Sequence, residues 1–401
     1  MSIHLINVTQ KLQVENWSKN ASRETFRSLK RTSEFSRRHR ECFSAIVSDF
    51  PVAKMSTTSI KLFNHFKSGT WIIYLRQMGA QLGARQQIIW INVVLITLWH
   101  LLAVYTAVIL VPRMQIITIL WGYFVGIVGG FGVTAGAHRL WAHRAYKAKL
   151  PLQLILLMCY STAGQNSVFD WVRDHRVHHK FSETDADPHN AKRGFFFAHV
   201  GWLMQRKHPE VLKKGALIDM SDITGDPILA FHTKYFNYFK LFFCFIFPVL
   251  VPYIVLKEPF YHCFMGICFI RYILGLNFTW SVNSAAHIWG NKPYDKRINP
   301  AENLTVSILA MGEGWHNYHH VFPWDYRAAE LGHYLFNSTT VIIDLFAKIG
   351  WAYDLKSPSP ELVQKISKKY GDGTEPYLGR SPSHHDHPEE VPHPDHTVAS
   401  N

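Results

Sequence analysis

Hydrophobic positions in this chain gather into a few long runs. Four of them, at about residues 88–111, 116–137, 238–256 and 260–280, approach the ~20 apolar residues that a bilayer core requires of a helix. Pro112-Arg113 joins the first two, and Lys257-Glu258-Pro259 joins the last two, so the pattern predicts two tight helical hairpins. Pro248 and Pro252 predict a kink in the third run. A fifth run, LPLQLILLMCYSTA at 150–163, is too short to span and follows a basic stretch. It reads as an interfacial helix or one buried beneath a cap. The fold class is an all-α integral membrane protein with four spans and a helical cytosolic cap, at 138–237 and 281–355.

The formal charge of +13 sharpens that reading. The inter-span turns hold only Arg113 and Lys257 as basic residues. The segment between the hairpins holds Arg139, Arg144, Lys147, Arg173, Arg176, Lys180, Arg206 and Lys207 among others. The positive-inside bias places this segment and both termini in the cytoplasm. A nucleic-acid role is set aside, because no zinc-finger spacing or RNP signature accompanies the charge. Residues 1–70 form a basic segment expected to be poorly ordered, and 71–355 the membrane domain. Residues 356–401 are a tail that ends in a His/Pro-rich stretch. The five cysteines lack CxxC spacing, which argues against a disulfide framework.

Three histidine clusters carry the chemistry: His138 and His143 in HRLWAH; His175, His178 and His179 in HRVHH; His316, His319 and His320 in HNYHH. HxxHH puts three imidazoles on one helix face. His138 and His143, five apart, converge only if their helix is locally loosened. Eight ligands exceed the four to six that one ion takes, so two metals follow. With four spans, all three clusters fall on one side of the membrane; an odd number would divide them. A structural zinc is normally closed by four ligands. Paired imidazole-rich sites suggest redox-active iron handling dioxygen, with histidine where soluble di-iron bundles use Glu. Asp170, Asp174 and Glu313 are candidates to orient ligating rings. Arg271, inside the fourth run, should be paired or functional.

The words HRLWAH, DHRVHHKFSETDADPHNAKRGFFFAHVGW, NSAAHIWG and GEGWHNYHHVFPWDY resemble the membrane fatty acyl-CoA desaturases of the stearoyl-CoA desaturase type. The likeness covers about residues 71–355, with GDGT at 371–374 as a weaker echo. It implies a di-iron centre with His287 as ninth ligand and Asn283 holding a metal-bound water. It implies an acyl tunnel lined by Gln165, Trp171 and Thr279 and closed near Gly126 and Gly130. It implies a CoA headgroup contacted by Arg173, Asp174, Arg206 and Lys207, with Asn166 and Asn92 nearby. Two departures stand out. Ile91 replaces the arginine of the family's Trp-Arg-Asn, and Gly126 and Gly130 are small. The glycines would either deepen the tunnel or let helices pack closely.

The implied reaction inserts a cis double bond, at delta-9, into a saturated fatty acyl-CoA with O2 and two electrons. No HPGG word of a fused cytochrome b5 occurs. A separate cytochrome b5 and its NAD(P)H-dependent reductase would supply the electrons, at the endoplasmic reticulum membrane. The alternatives are a histidine-box fatty-acyl hydroxylase and a metal-binding membrane transporter.

Overall fold

A computed structural model describes residues 86–330 and 336–374. The expected N-terminal segment 1–70 and the His/Pro-rich end of the tail lie outside the described residues.

Among the described residues, four helices are long and apolar enough to cross a membrane: α1 Trp90–Arg113, α2 Ile116–Ala142, α6 Pro227–Val255 and α7 Phe260–Ile288. Between α2 and α6 lie α3 Leu150–Ala163, α4 Val168–Phe181 and α5 Phe195–His199. After α7 come α8 His316–Val321, α9 Ser338–Lys348 and α10 Pro360–Tyr370. The two-residue strands β1 Lys147–Ala148 and β2 Ala352–Tyr353 pair antiparallel, with Lys147 opposite Tyr353. Three spanning helices overrun the apolar stretches that announced them. Hydropathy ends where polar side chains begin, but the backbone hydrogen bonds continue. The far ends of α2 and α7 therefore enter the cap and carry His138 and His287.

Wide π turns interrupt all four spanning helices, at Thr106–Leu110, Gly132–Ala142, Lys240–Ile246 and Gly266–Arg271. Such bulges recur at functional sites. The second is the local loosening that the five-residue histidine spacing demanded: the His143 N–H bonds the His138 carbonyl at 3.1 Å.

The buried Arg271 is paired, but not with an acid. Its guanidinium donates to the carbonyls of Cys244 at 2.7 Å, Thr162 at 3.1 Å and Ile267 at 3.2 Å. Cys244 and Ile267 lie in π turns, and Thr162 in the last turn of α3, where carbonyls lack helical partners. At the other end of the bundle Glu258 joins the two hairpin turns. Its carboxylate accepts from Gln115 N at 2.9 Å and the Thr118 hydroxyl at 3.0 Å, beside the N-terminus of α2.

α3 crosses α2 at backbone contact. A Cβ on Gly132 would lie 2.0 Å from Tyr160 N, and one on Gly129 would lie 3.1 Å from Ala163 N. Leu152, Leu156, Leu157 and Tyr160 face the core, while Leu150, Leu154 and Met158 stay exposed. Burying each of those leucines is worth about 1.5–3 kcal/mol. α3 stops at Gly164, whose φ of +65° suits glycine.

The cap does not end at residue 355. α10 buries Val363 against Tyr294, Tyr318 and Phe322. The GDGT turn docks as well, with Asp372 accepting from Lys292 N at 2.6 Å.

Candidate metal centre

Ser167 starts the first ligand helix. Its hydroxyl accepts from Asp170 N at 3.2 Å and donates to the Asp170 carboxylate at 2.7 Å. α4 then presents His175, His178 and His179. The π turn of α2 brings His138 and His143, the end of α7 brings His287, and α8 brings His316, His319 and His320. All nine expected ligands converge, in two groups. His138, His143, His175, His179 and His319 form one; His178, His287, His316 and His320 form the other. Each HxxHH cluster is divided between the groups. His175 and His179 part from His178, and His319 parts from His316 and His320. A shared helix face is wide enough to serve two centres.

The facing Nε2 atoms lie close: His138–His319 3.0 Å, His143–His175 2.8 Å, His179–His319 3.0 Å, His287–His316 2.9 Å and His316–His320 3.1 Å. Two nitrogens bound to one ion at about 2.1 Å and at right angles are about 3.0 Å apart. For His138, His178 and His287 the other ring nitrogen meets a carboxylate. Glu313 lies 2.7 Å from His138 Nδ1, Asp187 2.9 Å from His178 Nδ1 and Glu183 2.8 Å from His287 Nδ1. These carboxylates assign the proton to Nδ1 and turn the Nε2 lone pairs toward one another. Facing lone pairs at 3 Å repel unless a cation lies between them, so this donor set fits metal ions.

Burial, reinforced by the neighbouring imidazoles, holds His175, His179, His319 and His320 well below the usual histidine pKa. His316 is pushed down to about 3 for the same reasons. Neutral imidazole is the ligating form. Burial alone would raise the Glu313 carboxyl, but His138 and Arg139 beside it draw it down to about 2. Glu183 goes the other way, raised by burial and then by the neighbouring Asp187.

Of the acids expected to orient rings, Glu313 does so, for His138 and not for its near neighbour His316. Asp170 accepts from the hydroxyl of Ser167, the cap of α4, and pairs with Arg173 at 3.0 Å. Asp174 pairs with Arg173 at 3.0 Å and is also reached by Lys207. Sequence reasoning passed over Glu183, Asp187 and His189. His189 is buried, its ring 4.3 Å from that of His178. The available signal was a run of polar residues just after a ligand helix, ETDADPH, which also reads as an ordinary loop.

The expected substrate residues fall in two places. Trp171 stacks on the His175 ring at 5.0 Å and donates from Nε1 to Gln165 Oε1 at 2.8 Å. Gln165 donates in turn to the Thr279 hydroxyl at 3.0 Å, so these three are brought together beside the centre. Asn166 accepts at its carbonyl from the Tyr160 hydroxyl at 2.6 Å. Asn283 sits half-buried one turn before His287. Arg173, Asp174 and Lys207 line a cleft of about 530 Å³ with Phe169 and Ser221. Asn92 is set apart from that cleft, donating to the Leu203 carbonyl at 2.7 Å; Arg206 N bonds the Gln87 carbonyl at 2.9 Å. Gly126 and Gly130 both face side chains. Added Cβ atoms would meet Arg271 Cγ at 3.9 Å and Met311 Sδ at 2.8 Å.

Four helices among the described residues that are able to cross a membrane, and nine imidazoles gathered from the ends of α2 and α7 and from α4 and α8, define a multi-pass membrane protein built around a histidine-lined metal centre. The family model for fatty acid desaturases matches residues 114–335. The chain is 54% identical over 295 residues to the Acyl-CoA Delta-9 desaturase of Acheta domesticus, covering 74% of this chain and 82% of that one. It is 51% identical over 297 residues to the Acyl-CoA Delta12-desaturase of the same organism, covering 74% and 83%. It is 49% identical over 292 residues to Stearoyl-CoA desaturase 5 of Homo sapiens, covering 73% and 88%. The chain belongs to the fatty acid desaturase family, and is a metal-dependent oxidoreductase.

Proposed function

We propose that this protein is a di-iron acyl-CoA desaturase that places a cis double bond at delta-9 of a saturated fatty acyl-CoA. The observation that carries the reading is the pair of imidazole groups set directly against the Trp171–Gln165–Thr279 chain. Desaturation removes two vicinal hydrogens. Together with O2, two electrons and two protons this yields the alkene and two waters. Zinc has no redox chemistry, so the ions must be redox-active, and imidazole suits iron. When bound, iron supplies the activation of O2 and the removal of hydrogen.

The protein's own part is holding and aiming. His138, His143, His175, His179 and His319 hold one ion, and His178, His287, His316 and His320 the other. Asn283, one turn before His287, is positioned to hold a water on the second. Glu313, Asp187 and Glu183 fix the ring tautomers. Trp171, Gln165 and Thr279 bend and register the acyl chain, so position decides which hydrogens leave. Arg173 and Lys207 meet the phosphates of CoA. Arg173 is paired beforehand with Asp170 and Asp174, and Lys207 with Asp174, so the cleft offers oriented cations. Asn92, Asn166 and Arg206 complete the headgroup contacts. Gly126 and Gly130 bound the far end of the acyl tunnel.

The basic residues of the cap support a cytosolic face at the endoplasmic reticulum, with both termini on that side. They also support docking of an acidic donor, a separate cytochrome b5 served by its NAD(P)H-dependent reductase. The Acyl-CoA Delta-9 desaturase relative at 54% identity supports delta-9, with the Acyl-CoA Delta12-desaturase close behind at 51%.

The test is expression in a desaturase-deficient yeast, with double bonds located by mass spectrometry. A delta-9 monoene that disappears in His319→Ala is expected. A hydroxylated product, or no product from wild type, refutes the desaturase reading. A double bond elsewhere refutes only delta-9.

A further inference from the structure

The ligand helix α8 is only six residues long. A helix that short does not sustain itself, so packing must set how His316, His319 and His320 are turned. Asn317, inside it, is fully buried. It accepts from Tyr294 N at 2.9 Å and Asp295 N at 3.1 Å, and donates to the carbonyls of Asp295 and Pro300, each at 2.9 Å. Both donors of the amide and both lone pairs of its oxygen are thereby engaged. The next residue, Tyr318, donates its N–H to Glu302 at 2.8 Å. The orientation of α8 is therefore set by the loop between Asn291 and Glu302.

That loop forms no helix or strand, and its two ends meet in one isolated bridge, Asn291 with Glu302. Its other side is held by the C-terminal segment. Asp372 accepts Lys292 N at 2.6 Å and returns its own N–H to the Lys292 carbonyl at 3.1 Å. The Ser367 hydroxyl donates to the Pro293 carbonyl at 2.9 Å, and Lys296 N donates to the Tyr370 carbonyl at 3.0 Å. The Arg297 guanidinium lies 3.8 Å from the centre of the Tyr370 ring. Val363 packs on Tyr318 and Phe322 directly. Gly371 allows the close approach: a Cβ there would stand 2.2 Å from Pro293 O. The backbone at 292–297 is thus gripped by α10 and the GDGT turn on one side and by Asn317 on the other. This gripping segment lies beyond the residues 114–335 that the family model matches.

We propose that residues 360–374 are a strap that positions α8 through the 292–297 loop and Asn317, and that the strap governs retention of the ion in the four-histidine group. The inference rests on the two-ion reading above. α8 supplies two of that group's four ligands, His316 and His320, and His287 stands just before the strapped loop. The other group takes only His319 of its five ligands from α8. Loosening α8 therefore removes half of one donor set and a fifth of the other. Because ligand distances tolerate about 0.2 Å, a small rotation of α8 is enough.

The experiment loads the full chain in detergent with ferrous iron under anaerobic conditions and follows its release to the chelator ferrozine. Wild type should release two irons slowly. Gly371→Ala and Asn317→Asp should each speed the loss of one iron about tenfold and leave the other at its wild-type rate. Asn317→Asp keeps the size of the side chain but loses both donors. Asp372→Ala, which adds no clash, should act in the same direction. Lys365→Ala, on the exposed side of α10, should change neither rate. Hydrogen exchange of the loaded chain gives a second readout. Amides at 292–297 and in α8 should exchange faster in Gly371→Ala and Asp372→Ala, while those of α3 stay at wild-type rates.

General loosening would free both irons together and raise exchange in α3 as well, and either result overturns the proposal. Unchanged release in Gly371→Ala, Asn317→Asp and Asp372→Ala overturns it too. A wild-type chain that holds fewer than two irons fails the two-ion reading. Two irons whose release these variants leave alone fail this inference only.

Discussion

Replacing Gly132 with alanine should dislodge metal ligands that lie well away from the substitution. Gly132 opens the π turn that carries His138, and it faces the backbone of α3. The added Cβ would stand 2.0 Å from Tyr160 N, 2.2 Å from Cys159 C and 2.6 Å from Tyr160 Cα. Ordinary contact begins near 3.4 Å, so α2 and α3 must separate by about 1.4 Å. No flexible side chain can absorb the movement, because all three atoms are backbone. Ligand distances tolerate about 0.2 Å, so the five-histidine group loses its geometry.

In energy, two terms compete. Alanine gains about 1 kcal/mol over glycine in a helix interior. Overpacking costs about 1–3 kcal/mol, and backbone contact puts this site at the high end. The clash wins, with a net loss of about 1–2 kcal/mol. Gly126→Ala is the control: its Cβ meets Arg271 Cγ at 3.9 Å, so the propensity gain should stand alone. Thermal unfolding in detergent and metal per chain measure both. Gly132→Ala with wild-type melting and full metal content would refute the reasoning.

Three further outcomes are expected. Glu313, drawn down to about 2 from the usual 4.5, stabilises the fold fully above pH 4.5, by up to about 3 kcal/mol. That stability is lost as pH falls toward 2, and an acid series of melting points on Glu313→Gln should lack this component. Arg173→Ala or Lys207→Ala should raise KM for acyl-CoA about tenfold, or about 1.4 kcal/mol, with kcat nearly unchanged; an equal fall in kcat would place these residues in the chemistry instead. Gly126→Tyr should shorten the preferred product, and an unchanged chain-length profile would show that the acyl chain stops short of Gly126.

Local patterns made much of the protein legible. Span number followed from apolar run length, because hydrocarbon thickness sets a length that a helix must meet. Six of the nine gathered histidines followed from HxxHH spacing, because helical periodicity is a property of consecutive residues. The π turn was anticipated, since a five-residue spacing cannot converge on a regular helix. His287 was not legible in this way. A single histidine after an apolar run has no spacing partner, and only resemblance marked it.

What the sequence by itself determined is eight of the nine gathered histidines and, through four apolar runs, their falling on one side of the bundle. Both depend on neighbours along the chain. Only the tertiary structure decided how nine imidazoles divide into five and four, since each HxxHH helix serves both groups and the division depends on where α2, α4, α7 and α8 cross. It also decided that Glu313 serves His138 across 175 positions of chain, and that Asp187 and Glu183 stand behind His178 and His287. Such pairings follow from packing, which brings together charges that no periodicity links.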